Sequence, residues 1–449
     1  MIDLNQLLPV TQRMDLGRAY MESGDLDRSA KVYESVLDLE PNNAKAACNA
    51  AAVYLQSKLP VMASEWSYRA LGIDPLNQHA MRMIGDAAIQ QRDWDKAKEW
   101  FHKSLCVDPD CRDTLTNTAY FCQLMGQPHE ALRLYTRVRD LYPLDLTVRH
   151  WRSMTMLLMA KTQYDWDEAL GEYEIRHILT HKTFDMSGSV MYTGQPSLLT
   201  SGNIVLVAEQ GIGDAVMFVR YARYLKSRMS SHQKVYILCR EAMVDLLKLV
   251  DGVDGVYSSV AELPEFYWHV PMMSLLKTEG WPTYKPDNSP YLGKELDPTF
   301  RPVHRNIGIC WKGNPEHDND KYRSVSIETL IKAFQGVDGV ILHSLQQSKY
   351  NAGLPGKLHT PDINTLVTLA RQIRSMDLIV TVDTAVLHIA GSMGVPCFAL
   401  IPSNPDWRWG TEGETTPWYP SVRLFRATEP LNWEEPLKRM NAAIKEICK

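Results

Sequence analysis

Ile204-Val205-Leu206-Val207-Ala208-Glu209-Gln210-Gly211-Ile212-Gly213-Asp214 passes from a short β-branched run into a glycine turn, and then into a helical stretch over 216–228. Strand, turn and helix in that order are the opening unit of a parallel α/β sheet. Further strands are expected at 234–239, near 252–258 and at 267–271. Sequence rich in Pro and Gly, from 281 to 302, then separates this half from a second start at Asn306-Ile-Gly-Ile-Cys-Trp311. The second half predicts strands at 339–345, 377–382, Cys397–Ile401 and Val422–Arg426, with helices between them. Two doubly wound halves in tandem form a cleft at the C-terminal ends of their strands, the edge where open α/β sheets bind ligands.

Ahead of this α/β sequence lies a repeat. Prolines stand at Pro41, Pro75, Pro109 and Pro143, each 34 residues after the last. Twelve residues before them are Ser29, Ala63, Ala97 and Ala131, and twenty-four before are Gly17, Ala51, Gly85 and Ala119, all small. Eight before are Tyr33, Ser67, Phe101 and Tyr135. Helices cross closely only where side chains are small, and an aromatic ring then fills the neighbouring gap. A proline after the second helix ends it and sets the turn. The period and pattern resemble the tetratricopeptide repeat, a helix–turn–helix unit. Asp93-Trp94-Asp95-Lys96-Ala97 recurs 72 residues on as Asp165-Trp166-Asp167-Glu168-Ala169, so a fifth, divergent unit with a short insertion is expected to close the array near residue 180. The concave face of such a solenoid either docks a peptide or domain or simply buttresses the α/β halves behind it.

The 449 residues are 45% hydrophobic and 22% charged, with a net charge of −5 from 48 basic and 53 acidic side chains. That length implies two or three domains, and the composition is that of a soluble globular chain. No apolar run approaches the roughly 18 residues of a membrane helix, and the opening MIDLNQLLPV lacks the basic start and long apolar core of a signal peptide. A cytoplasmic chain with no membrane span is expected. The charge balance supplies no bulk positive field for nucleic acid. The eight cysteines include no CxxC pair and sit in apolar context, as buried reduced thiols do.

Three loops at strand ends carry the candidate chemistry. Gly211-x-Gly213 opens a helix as a phosphate-binding turn does, but Val216 stands where a dinucleotide fingerprint has its third small residue. A structural tight turn explains it equally. Asp214, in the first helical turn, sits at the positive end of the helix dipole, either as a cap or as an ionised base facing the cleft. In the second half Trp311-Lys312-Gly313-Asn314-Pro315 is followed by His317, Asp320, Arg323 and Ser324. A lysine at a strand end and then an arginine can neutralise a diphosphate; the alternative is a solvated loop. Asp318-x-Asp320 reads as a metal-binding pair or as two carboxylates on a polar loop, and no metal is assigned to it. Asp383-Thr384-Ala-Val-Leu-His388-Ile-Ala390-Gly391 places Asp383 and Thr384 at a helix N-terminus whose N–H groups are free. His388 follows one turn later on the face of Thr384, as a structural histidine or a ligand contact. Gly391 continues a small face suited to close packing on the sheet.

The strings EQGIGD, WKGNPEHDNDKYRS, VDTAVLHIAGSMGVP, PDWRW and TPWYPSVRLFR, in that order, resemble the glycosyltransferase-9-like domain found behind tetratricopeptide repeats. That domain is related to the bacterial heptosyltransferases and is similar in plan to the O-GlcNAc transferases. The resemblance implies an α-solenoid of about five helix hairpins over 1–180, followed by a GT-B fold of two Rossmann-like domains. The acceptor-side domain falls at 203–301 and the nucleotide-sugar-binding domain at 306–449. It also implies inversion at the anomeric centre, with no metal and no cofactor. Asp214 then matches the catalytic base in the loop of Gly211 and Gly213. Lys312, Asp383, Thr384 and His388 match the donor-phosphate and nucleotide contacts, with Arg323 and Arg408 as further phosphate partners.

Inverting transfer needs an acceptor hydroxyl deprotonated as it attacks C1 of the donor. An aspartate in reach of that hydroxyl contributes about 10²–10⁴-fold. Charge growing on the departing phosphate is expected to meet the helix N-terminus, Lys312 and a positive His388, without Mg²⁺. The partners implied are a nucleotide sugar and an acceptor that is a protein side chain, a glycan or a modified nucleic-acid base, with a protein partner on the repeat groove. The first α/β half is compact, so the array is expected to supply part of the acceptor wall. A competing reading is a non-catalytic repeat scaffold with a degenerate nucleotide-binding α/β module. Another is a dinucleotide-dependent oxidoreductase, in which Glu241 would close the second strand; the missing third glycine speaks against it.

Overall fold

The computed structural model describes residues 8–179, 184–194, 202–283, 286–298, 305–317, 319–346 and 358–448. The chain divides into two compact units, Met1–Arg152 and Ser153–Lys449.

The first unit is a helical repeat. Its hairpins pair Val10–Glu22 with Leu26–Leu39, Ala44–Gln56 with Pro60–Ile73, Gln78–Gln91 with Trp94–Val107, and Arg112–Leu124 with Pro128–Leu141. Pro41, Pro75, Pro109 and Pro143 each open the turn that follows the second helix of a hairpin. Asp25, Asn43, Asn77 and Asp93 cap helix starts, each side chain accepting from a backbone N–H three residues on. The small and aromatic positions meet as their spacing requires. A Cβ at Gly17 would lie 2.7 Å from the Tyr33 ring, and one at Gly85 would lie 2.7 Å from the Phe101 ring. Ser29 adds a hydrogen bond across the same crossing, donating to the Gly17 carbonyl at 2.7 Å.

The second unit contains two parallel sheets. The first has five strands, β1 (Val190–Met191), β2 (Ile204–Val207), β3 (Val235–Leu238), β4 (Gly255–Tyr257) and β5 (Trp268–Pro271), in the order β1-β5-β2-β3-β4. The second has six, β6 (Arg305–Cys310), β7 (Val340–Ser344), β8 (Leu358–His359), β9 (Leu378–Val382), β10 (Cys397–Ile401) and β11 (Val422–Arg426), in the order β11-β10-β9-β6-β7-β8. Every pairing is parallel. These are the two Rossmann-like sheets of a GT-B fold. Central strands β2, β3, β9 and β10 are buried at every residue, as strands covered on both faces must be. In the second sheet Ile309, Val380, Leu400 and Phe425 pack with Trp433, Leu437, Met440 and Ile444. The last four are supplied by Trp433 and the helix Glu434–Cys448.

In each sheet the chain runs outward from its first central strand and then crosses to the other side. The strand order therefore reverses between β2 and β5, and again between β6 and β9. Diverging connections leave a crevice at such a switch point. The loop after β2 carries Glu209–Gly211 and leads into the helix turn with Asp214, the connection after β5 carries Met273 and Ser274, the loop after β6 carries Lys312, and the loop after β9 carries Asp383 and Thr384.

Two local departures from the sequence pattern matter for the site. The helix expected over 216–228 is two helices, Ile212–Phe218 and Tyr221–Arg228, with Arg220 at the break. The helices Gln163–Tyr173 and Arg176–Leu179, which the repeat pattern assigns to a fifth unit, belong with the α/β sheets in the second compact unit. Their recurring phrase also sits in another frame. Asp93 caps its helix directly, whereas Asp165 is the third helical residue behind a Thr162 cap, in a reciprocal capping box. The helix thus starts earlier and turns Trp166 into the second unit's aromatic core. There it packs edge-on against Trp281 at 6.1 Å and Trp407 at 6.2 Å.

Candidate active site

The helix Ile212–Phe218 after β2 packs directly on the helix Ala385–Ser392 after β9. The switch points of the two sheets thereby face each other. Contact is close because residue 213 is glycine, whose α-carbon lies against the buried His388 ring. Gly391, expected to pack on the sheet, instead accommodates the ring of Tyr419.

Asp214 is fixed at both oxygens. Oδ2 accepts the Gly211 N–H at 3.0 Å, and Oδ1 accepts from Arg408 Nη2 at 2.5 Å. Asp214 is thus a cap and an ion-pair partner at once, with its side chain still 23% exposed. Each carboxylate oxygen has a second lone pair for a further hydrogen bond or a proton. Arg408 comes from the short turn Trp407–Trp409, whose cap is Asp406. Its Nη1 donates to Asp406 Oδ1 at 2.8 Å, and its guanidinium lies over Trp407 at 4.4 Å. Burial works against the Arg408 charge, but Asp406 and Asp214 outweigh it and hold the cation firmly protonated. Its Nε, buried in the same place, has no hydrogen-bond partner among the described residues.

His388 is 5% exposed, with Nδ1 3.0 Å from the Tyr419 hydroxyl and its ring 5.3 Å from that of Trp409. Burial, reinforced by the Arg408 charge, pulls its pKa down to about 3. The positive charge expected of this residue is therefore absent at neutral pH. His388 serves as a neutral ring. Asp383 moves the other way: burial, with Asp406 nearby, raises its carboxyl to about 6 against the opposing pull of Arg323 and Arg408. Thr384 caps the helix Ala385–Ser392 without spending its side chain on it, and its hydroxyl lies 3.2 Å from that of Thr381.

The loop after β6 is built around Gln346. That side chain accepts the Lys312 N–H at 3.1 Å and donates to the Lys312 carbonyl at 3.0 Å, leaving the Lys312 side chain exposed above the strand end. Arg323 folds over Gly313, where a Cβ would come within 2.8 Å of its Nη2, and its Nε donates to Asp320 at 3.2 Å. Asp320 also accepts from Ser324, which in turn accepts the Gly313 N–H. Asp320 is thus occupied by the loop itself, and Asp318 lies outside the described residues.

Of the residues singled out in the sequence, Gly211, Gly213, Asp214, His388 and Arg408 form one contiguous cluster. Asp383 and Thr384 stand at the start of the helix that carries His388, Lys312 rises from the neighbouring strand end, and Arg323 folds back over Gly313 from the short helix Asp320–Arg323. Asp406, Tyr419 and Gln346 are structural partners not anticipated. Asp406 and Tyr419 do lie inside quoted strings, and an aspartate one residue before a tryptophan-rich turn is an N-cap signal. Gln346 left no local signal. All eight cysteines are free thiols. Among the described residues no helix is long and apolar enough to cross a membrane.

A helical repeat followed by two Rossmann-like sheets with facing switch points defines a repeat-bearing, GT-B-type protein. Residues 343–444 match the model of glycosyltransferase family 9 (heptosyltransferase), and residues 17–58 match a TPR repeat model. Protein FlbA of Caulobacter vibrioides is 22% identical, over 97% of this chain and 78% of its own length. Stress-induced-phosphoprotein 1 of Caenorhabditis elegans is 30% identical over 20% of this chain and 31% of its own length. Among solved structures, pilF of Pseudomonas aeruginosa is 16% identical with a TM-score of 0.34, covering 39% of this chain and 78% of its own. A thermophilic TPR protein of Thermus thermophilus is 17% identical with a TM-score of 0.34, covering 37% of this chain and 89% of its own. The family 9 match supports a glycosyltransferase, and the TPR match supports a protein partner.

Proposed function

We propose that the protein is an inverting, metal-independent glycosyltransferase that moves a sugar from a nucleotide-sugar donor to an acceptor hydroxyl, with the acceptor docked by the repeats. The observation that carries this reading is the packing of the helix Ile212–Phe218 on the helix Ala385–Ser392, which brings Asp214 and the Asp383–Thr384 helix start to one place. In this reading Asp214 takes the proton of the acceptor hydroxyl as its oxygen bonds to C1 of the donor. The bond from C1 to the nucleoside diphosphate breaks on the opposite side. Negative charge on the departing phosphate is met by the free N–H groups at the start of Ala385–Ser392 and by Lys312 and Arg323. His388 contributes shape and a hydrogen bond rather than charge, and Arg408 orients Asp214.

The test is a screen of nucleotide sugars for binding and for turnover, run with wild type and Asp214→Asn. Loss of transfer by about 10²-fold or more with retained nucleotide binding is expected of a general base. Unchanged turnover in Asp214→Asn would overturn the base assignment. Failure of every nucleotide sugar and nucleoside diphosphate to bind would favour the scaffold reading.

A further inference from the structure

The helical segment at 163–179 reaches the Asp214–Arg408 pair by two separate routes. The first runs through Arg176, a cation whose side chain is 1% exposed. Its Nε and Nη2 both donate to Glu209 Oε1, at 3.2 and 3.0 Å, and Nη2 also donates to Ser274 Oγ at 2.7 Å. Glu209 begins the loop that leads into the helix carrying Asp214, and Ser274 lies just beyond β5, so Arg176 ties together both connections of the first switch point. Glu174 completes the knot, accepting from Arg176 Nη1 at 2.5 Å and from Ser274 Oγ at 2.9 Å. Although burial opposes it, His177 and Arg176 hold Glu174 ionised, down to about pH 2.

The second route is aromatic. Arg176 lies over the Tyr173 ring at 4.7 Å, Tyr173 meets Trp407 edge-on at 6.2 Å, and Trp407 lies under Arg408 at 4.4 Å. The Met273 sulfur accepts from both the Tyr173 hydroxyl and Arg408 Nη2, each at 3.9 Å. One route therefore ends on the backbone that carries Asp214, and the other ends on the cation that holds its Oδ1.

We propose that Arg176 is a positioning residue for Asp214, and that the segment at 163–179 is a working part of the transferase centre rather than a terminal repeat. The role rests on the transferase reading, but its structural half is testable without activity. A planar fork that binds a carboxylate and a hydroxyl together is only partly replaced by a lysine point charge.

The experiment uses the full chain with Arg176→Lys, Arg176→Met and Glu209→Gln, each checked for an unchanged melting transition. Hydrogen exchange is followed in peptides spanning 205–218 and 378–392. Faster exchange confined to 205–218 is expected in all three variants, smallest in Arg176→Lys. With a donor that wild type turns over, kcat falls roughly 10²-fold in Arg176→Met, the cost of a misplacement of about 1 Å. The donor KM stays within about twofold, and Arg176→Lys recovers part of the rate. Unchanged exchange at 205–218, exchange that rises equally in both peptides, or kcat and donor KM moving together would each overturn the proposal. If wild type turns over no donor, the transferase reading fails and the exchange result alone decides whether Arg176 positions the loop.

Discussion

Gly213 and His388 are in contact across the two α/β lobes: a Cβ on residue 213 would stand 2.8 Å from His388 Cδ2 and 3.3 Å from Nε2. The ring cannot step back, because Tyr419 bonds it on one side and Trp409 packs it on another. The second glycine of the turn is therefore dictated by the partner helix, not by a left-handed backbone.

Gly213→Ala should destabilise the protein by about 1–3 kcal/mol, the usual cost of overpacking a filled interior. It should also lower turnover, since Asp214 is the next residue. Thermal melting with a donor-turnover assay checks both, and an unshifted transition would show that the helices can part without penalty.

The two buried titratable groups at the start and middle of the helix after β9 predict opposite pH slopes. His388 has its pKa lowered from about 6.5 to about 3, so the unfolded chain binds the extra proton first. Its contribution to stability is complete above pH 6.5 and is lost as pH falls toward 3. Asp383 is raised to about 6, so its contribution is complete below about pH 3.8 and is lost as pH rises through 6. Denaturation at pH 4 to 7 should show a shallower acid-side loss in His388→Gln and a shallower rise-side loss in Asp383→Asn. Ring nitrogen shifts of His388 should stay those of a neutral imidazole at pH 5.

Lys312→Ala should weaken nucleoside diphosphate binding roughly 10- to 100-fold, the range of one charge-assisted hydrogen bond. Titration calorimetry at two salt concentrations tests this, with the wild-type advantage shrinking at high salt. Equal affinity in the two proteins would remove Lys312 from the donor contacts.

In the repeat, two glycine substitutions should differ in sign. Alanine in place of a helical glycine ordinarily stabilises by up to about 1 kcal/mol. Gly72, in the helix Pro60–Ile73, has open space where its Cβ would go, so Gly72→Ala should raise the melting transition. Gly85 lies under the buried Phe101 ring, itself packed on Phe121 at 5.9 Å, so Gly85→Ala should lower it.

The division between what the chain made legible and what it hid follows from range. Repeat turns, helix caps and the central strands are local and periodic; Cys397–Ile401 and Val422–Arg426 lie where short apolar runs between helical stretches put them. Strands β1 and β8 are two residues long and become strands only by pairing with β5 and β7, so no period marks them. Arg408 is conspicuous in PDWRW, but its bond to Asp214 spans 194 residues, and its role as that carboxylate's partner appears only in the fold. The neutrality of His388 is hidden for a related reason. A residue name carries the ordinary pKa, and only the packing of Trp409, Tyr419 and Arg408 reveals the desolvation. The recurrence at Trp166 is visible in the chain, but its three-residue change of frame relative to the helix cap turns a repeat motif into a core tryptophan.

The break in the helix after β2 has a wider consequence. Arg220 is a buried cation that donates to two carbonyls, those of Met217 and Trp418, and to the Tyr291 hydroxyl, with the rings of Tyr291 and Tyr419 stacked on its guanidinium at 5.0 and 4.8 Å. Carbonyl dipoles and ring faces, drawn from the chain segments of both sheets, thus solvate this charge. A lobe exchanged with that of a relative would strip this cation of the Trp418 carbonyl and the Tyr419 ring unless the segment carrying them travelled with it. The two halves are therefore matched to each other through this one cation, and a chimera that splits them between the sheets should lose stability unless both sets of partners are kept.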